Sequence, residues 1–348
     1  MDKNYKAAVK KPTMTEIAAL LGVSKNTVSL ALNGKPGVGA KLRAQIIDKA
    51  EELGYGGFFA QKQVRSRCVA VLVPQYIHTD AFFYSEVFWA VEAEARSRGI
   101  IPINIGITHE MEQELVLPAF PNEMRTVGML IIGVFSEKYA KMLYDTGIPL
   151  LSVDIAYNNV PIGCVGSANL RGGYIAAKRL VDAGHKKIGF IGPYCTARSI
   201  YERYTGFKLA LYELNAEVNE ELFLKKTASG GFELWDSPEA LEPYFNAMQE
   251  YPTAFFCAGD RIAIALMSLL AQRGIRVPED ISVIGFDDIS VAQIFPPGLT
   301  TINVDRTLMG ALAVERLLKL SEDERRAVDI AVPVTLVERG TVKEMRNA

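Results

Sequence analysis

Lys25, Asn26, Ser29, Leu30 and Asn33 share one side of a short amphipathic segment whose other side carries Val28, Ala31 and Leu32. Such a face suits a DNA major groove: an asparagine amide bonds an adenine edge at two points, and a leucine touches a thymine methyl. Nothing comparable is arranged for catalysis. The three histidines, His78, His109 and His185, are scattered, and the chain has no Ser-His-Asp or H-E-x-x-H arrangement. Asp287 and Asp288 are adjacent, and neighbours at a strand end point to opposite sides rather than forming a carboxylate pair. No G-x-G-x-x-G follows a strand pattern and no G-K-(S/T) loop is present, which argues against a dinucleotide enzyme or an ATPase. Cys68, Cys164, Cys195 and Cys257 form no C-x-x-C pair, so free thiols are expected, with no metal site and no disulfide. The expectation is a protein that binds rather than catalyses and needs no cofactor.

The elements that must hold the polar face are short. Thr13-Met14-Thr15-Glu16 is a capping-box pattern, so a helix is expected to start there. Ile17, Leu20 and Leu21 give it an inward face, and Gly22 stops it. Ser24 caps a second helix after the three-residue turn "GVS". Two short helices joined so tightly must cross steeply, as in a helix-turn-helix. A third helix follows with Leu42, Ile46, Ala50 and Leu53 inward and Gly54 as its stop.

Charge separates this head from the rest. Residues 1–67 hold twelve Lys and Arg against five acids, a charge of +7, while the whole chain of 348 residues carries −2, leaving −9 for the remainder. A basic head on an acidic body suits a polyanion-binding module joined to a unit with a different partner. From Val69 the chain alternates apolar runs such as "VAVLVP", "IPINIGI", "GMLIIGV", "PLLSVDI", "KIGFIGP", "TAFFCAG" and "DISVIGFDD" with helical stretches. Buried parallel strands joined by helical crossovers read this way. The body is therefore expected to be α/β, with two doubly wound lobes that bind ligand at strand C-termini. The apolar runs are too short for a bilayer span, and the N-terminus has no apolar signal core. A cytoplasmic location without membrane contact is expected.

"MTEIAALLGVSKNTVSLALNGKPGV" followed by "IIDKAEELGY" resembles the DNA-binding head of the lactose-repressor and galactose-repressor family. "LVDAGHKKIGFIG", "RYTGFKLAL", "PTAFFCAGDRIAIALM", "GIRVPEDISVIGFDD" and "PPGLTTINVD" extend the resemblance to about Arg339. It implies an N-terminal three-helix helix-turn-helix head plus a two-lobed, periplasmic-binding-protein-like core of doubly wound parallel sheets. The expected divisions are residues 1–57 for the head and 58–67 for a hinge. The first lobe is placed at 68–183 with 304–332, and the second at 184–303 with 333–348. The implied DNA-contacting set is Thr13, Ser24, Lys25, Asn26, Thr27, Ser29, Leu30 and Asn33, with Lys62 and Val64 from the hinge. Val64 falls where the family wedges a leucine into the minor groove.

Several departures bear on specificity. Leu30 stands where most members have arginine, so the operator is expected to differ at that base pair. Val38-Gly39 replaces the usual Val-Ser before the third helix, and Gly56-Gly57 should make the hinge harder to order. In the body, the resemblance places the effector between the lobes, with Ser199, Arg203 and Asp287 holding it. A five-donor guanidinium and a carboxylate can bracket vicinal hydroxyls. Phe82, Phe83 and Tyr84 match an aromatic stacking position, and Asn169 and Asp260 remain where the family has Asp-Asn and Asn-Asp pairs. The helix expected over Ser85 to Arg98 carries Val87, Phe88, Val91 and Ala95 as an apolar stripe. The C-terminal residues carry no apolar heptad tail, so a tetramerising coiled coil is not expected. Together these features predict a homodimeric regulator, a repressor of a palindromic double-stranded operator, controlled by a small-molecule effector, most naturally a carbohydrate. The competing expectation is a periplasmic-type sugar receptor with a non-functional head.

Overall fold

The computed structural model describes residues 12–33, 35–53, 55, 66–75, 82–120, 124–193, 197–224, 236–322 and 327–345. Lys62 and Val64, with nearly all of the expected hinge, lie outside these residues, as do His78, Cys195 and Gly54. The chain divides into two compact units, residues 1–66 and 67–348.

The head consists of α1 (Met14–Leu21), α2 (Lys25–Leu32) and α3 (Ala40–Glu52). Thr13 caps α1 through the reciprocal box: its hydroxyl accepts from the Glu16 N–H at 3.3 Å, and Glu16 Oε2 accepts from the Thr13 N–H at 2.7 Å. Gly22 ends α1 at φ 65°, a left-handed conformation that costs glycine little. Ile17, Ala18, Val28, Ala31, Ile46 and Ala50 form a small closed core. Leu20, expected inward, is instead 58% exposed. On an eight-residue helix the buried stripe runs through Ile17 and Ala18, which rotates position 20 toward solvent. Arg43 of α3 donates from Nη1 to the Ala31 carbonyl at 3.1 Å and from Nη2 to the Lys35 carbonyl. It thereby satisfies acceptors left open at the end of α2.

The body contains two six-stranded sheets. The first runs β11-β5-β4-β3-β1-β2 and the second β12-β10-β9-β8-β6-β7. In the first, β1 (Arg67–Pro74), β2 (Ile101–Ile107), β3 (Arg125–Ile132), β4 (Leu150–Val153), β5 (Gly163–Ser167) and β11 (Ile330–Val332) are all parallel. In the second, β6 (Ile188–Ile191), β7 (Phe223–Leu224), β8 (Ala254–Cys257), β9 (Ser282–Asp287) and β10 (Thr300–Val304) are parallel, and β12 (Val334–Val337) closes the edge antiparallel to β10. Each apolar run singled out in the sequence contains a strand. β5, β7, β10, β11 and β12 match none of those runs: β7, β11 and β12 are edge strands of two to four residues, and β5 and β10 interrupt their apolar residues with Gly and Ser or with Thr and Asn.

Alternation along β1 sends Val69, Val71 and Val73 into one core, with Val87, Val91 and Ala95 of the helix Phe83–Ser97 and Val314 and Leu317 of the helix Arg306–Glu322. Ala70 and Leu72 pack on the other face with Tyr139, Ala140 and Leu143. The helix Phe83–Ser97 starts two residues earlier than expected.

The lobe boundary also moves. The helix Asn169–Asp182, expected in the first lobe, packs on the helix Arg198–Glu213 and against β8, β9, β10 and β12 of the second. The chain therefore changes lobes at Ala168, directly after β5. Its small residues explain why: a Cβ on Gly172 would overlap the Phe286 ring, and one on Gly173 would overlap the Arg203 backbone, so only glycines let this helix approach the second sheet so closely. The other two crossings fall at Asp305, between β10 and the helix Arg306–Glu322, and at Pro333, between β11 and β12.

Candidate nucleic-acid interface and interlobe cleft

On the head, Lys25, Asn26 and Asn33 are exposed, and Thr27, Ser29 and Leu30 are partly so. Local bonds already occupy some of this set. The Ser24 hydroxyl accepts from the Thr27 N–H at 3.0 Å and lies 2.8 Å from the Thr27 hydroxyl. Asn33 folds back, its amide donating to the Ser29 carbonyl at 2.8 Å. Thr13 is likewise engaged in its capping box. Lys25 and Asn26 thus stand at the exposed start of α2, where a recognition helix meets base edges. Leu30 leans toward the following turn, close enough that a Cβ on Gly37 would be 3.8 Å from its Cδ1.

In the body, the C-terminal ends of both sheets converge on a cleft, as expected for open parallel sheets. A cavity of about 190 Å³ there is bordered by Asp154, Cys164 and Ser167 from the first lobe, Asn169, Ser199 and Glu202 from the second, and Asp329 from the returning chain. Arg203 is the fixed point of the second lobe. Only 5% exposed, it donates from Nε to Asn169 Oδ1 at 2.9 Å and from Nη1 to the Ala258 carbonyl at 2.6 Å, while Nη2 lies 3.2 Å from Asp287 Oδ1. Its guanidinium stacks 3.7 Å above the Phe286 ring. This cation is held by four neighbouring groups and is pre-organised rather than free to swing.

Asp287 sits at φ 107° at the end of β9 and Asp288 at φ 51° just beyond it, and their carboxylates part. Asp288 turns to Arg339 Nη2 at 2.6 Å and Asn303 Nδ2 at 3.1 Å, while Asp287 faces Arg203. In the first lobe, Tyr84 donates its hydroxyl to Asp154 Oδ2 at 3.0 Å. Burial raises the Asp154 carboxyl above its ordinary value; Arg203 and the Tyr84 bond pull it down, and Glu202 pushes it up.

Two expected ligand residues are placed otherwise. Asp260 is 1% exposed and lies beneath the Asp287 loop, accepting from the Ile289 N–H at 2.9 Å and the Thr301 hydroxyl at 2.5 Å. Burial first, then the nearby Asp287, push its carboxyl well up. It braces the loop instead of facing the cleft. Phe83 is buried in the first lobe's core, edge-on to Tyr84 at 5.1 Å, because it begins the helix face that continues through Val87, Val91 and Ala95 at four-residue spacing. Phe82 and Tyr84 remain partly exposed, while Asn169 has both ends of its amide engaged, by Arg203 and Glu202. Cys68, Cys164 and Cys257 are buried free thiols.

Sequence reasoning missed Asp154, Arg198, Glu202, Arg306 and Asp329. Asp154 carried a usable signal, since it ends the strand run "PLLSVDI" and strand C-termini face the ligand. Asp329 carried none, because only the return of the chain to the first sheet brings it beside Cys164, whose N–H it accepts at 3.1 Å. Arg306 joins the lobes: Nε lies 2.6 Å from Glu86 Oε2 on the first-lobe helix, and its two terminal nitrogens donate to the carbonyls of Asp287 and Asp288. Among the described residues no helix is long and apolar enough to cross a membrane, and no cluster of three metal-ligating side chains occurs.

Comparison with known proteins agrees with both units. Residues 13–56 match the model of bacterial regulatory proteins of the lacI family, and residues 177–342 match a periplasmic binding protein-like domain. The HTH-type transcriptional repressor PurR of Vibrio campbellii (strain ATCC BAA-1116) is 32% identical over 343 residues, covering 96% of this chain and 99% of that protein. The transcriptional regulator CelR in complex with cellobiose superposes with a TM-score of 0.68 at 25% identity, covering 95% of this chain and 99% of its own. The lac repressor dimer bound to operator and the anti-inducer ONPF gives 0.64 at 25% identity, over 96% and 100%. The exposed start of α2 on a three-helix head, the two-lobed α/β body and near full-length similarity lead to one assignment: the chain belongs to the lacI family of bacterial regulatory proteins and is a DNA-binding transcriptional repressor of that family.

Proposed function

We propose that the protein binds a palindromic operator as a homodimer and that a small polyhydroxylated molecule, a sugar or sugar derivative, changes operator affinity by binding between the lobes. One head of three short helices buries too little DNA for tight specific binding, whereas two heads on a palindrome add their contacts. Lys25, Asn26, Ser29 and Leu30 are the proposed base-facing residues, with Thr13, Ser24, Thr27 and Asn33 framing them and Lys62 and Val64 contributing from the connector.

The observation that carries the effector reading is the pre-organised Arg203–Asp287 pair at the converging strand ends. Asp287 offers acceptors to vicinal hydroxyls, Ser199 a hydroxyl, and Phe82 and Tyr84 an aromatic face. The cellobiose carried by CelR supports a sugar over other polyols. Control follows from Arg306, which grips the backbone of the Asp287 loop and Glu86 of the other lobe at once. A ligand that pulls on Asp287 therefore binds two lobe arrangements unequally, which is the requirement for allostery.

The test is selection of bound duplexes from a random library by the full-length protein at two salt concentrations, repeated with sugars and with nucleobases. A palindromic consensus with steep salt dependence, shifted by a sugar, is expected. Failure to enrich any sequence under every condition overturns the reading.

A further inference from the structure

The charges around the cavity do not balance. Burial raises the Cys164 thiol first, and Asp154, Asp329 and Glu202 raise it further, with only Arg198 opposing them. Arg198 is already committed to Glu202, Nε to Oε1 at 2.8 Å. Among the described residues, neither Asp154 nor Asp329 has an ammonium or guanidinium within ion-pair distance. Asp154 is more than nine-tenths buried, and among the described residues its Oδ1 has no hydrogen-bond partner, nor does the buried Ser167 Oγ on the adjacent strand. Buried polar atoms left unmet are rare and ask for a partner from outside the chain.

Resting on the effector reading above, we infer that the ligand carries a protonated amine beside its hydroxyls, with the amine received by Asp154, Ser167 and Asp329 on the first lobe. An ammonium brings three donors to a wall that offers acceptors. A metal ion does not fit, since no three ligating side chains come together among the described residues. An acidic ligand is opposed by the unmatched carboxylates. The cavity, about 190 Å³, lies below the usual range for drug-sized ligands and suits a single amino-sugar ring. Ser199, on the second-lobe side of the same cavity, then meets a hydroxyl, so one small molecule touches both lobes and favours their closure.

The experiment titrates full-length protein by calorimetry near pH 6.5 with glucosamine, galactosamine and mannosamine, their parent hexoses, N-acetylglucosamine and glucuronate. A charge-assisted hydrogen bond exceeds a neutral one by enough to predict that one amino sugar binds about tenfold tighter than its parent hexose and its acetylated form. Asp154→Asn should abolish that preference, and the exposed Asp329→Asn, which leaves the core untouched, should reduce it by about two- to threefold. A neutral hexose that binds as tightly as its amine, or an amine preference that survives both substitutions, overturns the inference while leaving a sugar effector in place. Absence of binding by every compound also overturns it, and the operator selection, which needs no ligand, then tests the broader reading by itself.

Discussion

Replacing Arg203 by methionine tests whether the second lobe depends on a pre-organised buried cation. The side chain is 5% exposed and serves Asn169, the Ala258 carbonyl and Asp287 together. Methionine keeps the volume over Phe286 but leaves the Asp287 charge uncompensated and two acceptors unmet. Breaking a buried pair from one side costs about 3–5 kcal/mol. At roughly 2–4 °C per kcal/mol for a domain of this size, the body should melt about 6–20 °C lower. Circular dichroism melts of the full-length protein measure this. Arg203→Lys should fall between the two, since it keeps charge and loses the planar fork. In the cycle with Asp287→Asn, the double variant should be more stable than the sum of the single losses by more than about 1 kcal/mol, because the orphaned charge is gone. An Arg203→Met melt within about 3 °C of wild type, or an additive cycle, would refute the reasoning.

Gly206→Ala should destabilise the second lobe by about 3 kcal/mol, read as a lower melting temperature: its Cβ would overlap the Leu170 carbonyl, and the facing backbone of Leu170 and Tyr174 leaves no flexible atom to yield. His185 is buried, with Nδ1 2.9 Å from the Thr253 hydroxyl, and burial lowers its pKa below the ordinary value of 6.5. The unfolded chain then binds the proton first, so stability should be full above about pH 6.5 and decline as pH falls below it. His185→Gln should flatten that acid limb in denaturant titrations at pH 7.5 and 5.5, and an unchanged limb counts against this role. Leu30→Arg should move the preferred base pair at one position of each half-site by about 1–3 kcal/mol in competitive duplex binding, without altering the other positions. Arg306→Met should leave operator binding by the free protein within a fewfold of wild type but shrink the effector-induced change, measured by fluorescence anisotropy with and without ligand.

What the sequence determined lies at short range. The Thr13 and Ser24 caps, the Gly22 stop and the tight turn fix the head because each acts within four residues, and the apolar runs fix β1, β3, β6, β8 and β9 because a buried parallel strand needs continuous hydrophobicity. Family resemblance added Arg203, Ser199 and Asp287. Tertiary structure alone decided where chain crossings fall and which polar groups meet. The helix Asn169–Asp182 joins the second lobe because Gly172 and Gly173 let it sit against Phe286 and Arg203, a fact about partners 114 and 30 residues away. Asp260 and Phe83 look like cleft residues by position and are buried by packing. Asp154 and Asp329 are 175 residues apart, and Arg306 reaches Glu86 across 220. Local pattern does not encode such pairings, because they come into being only when three separate crossings bring both sheets' strand ends to one cleft.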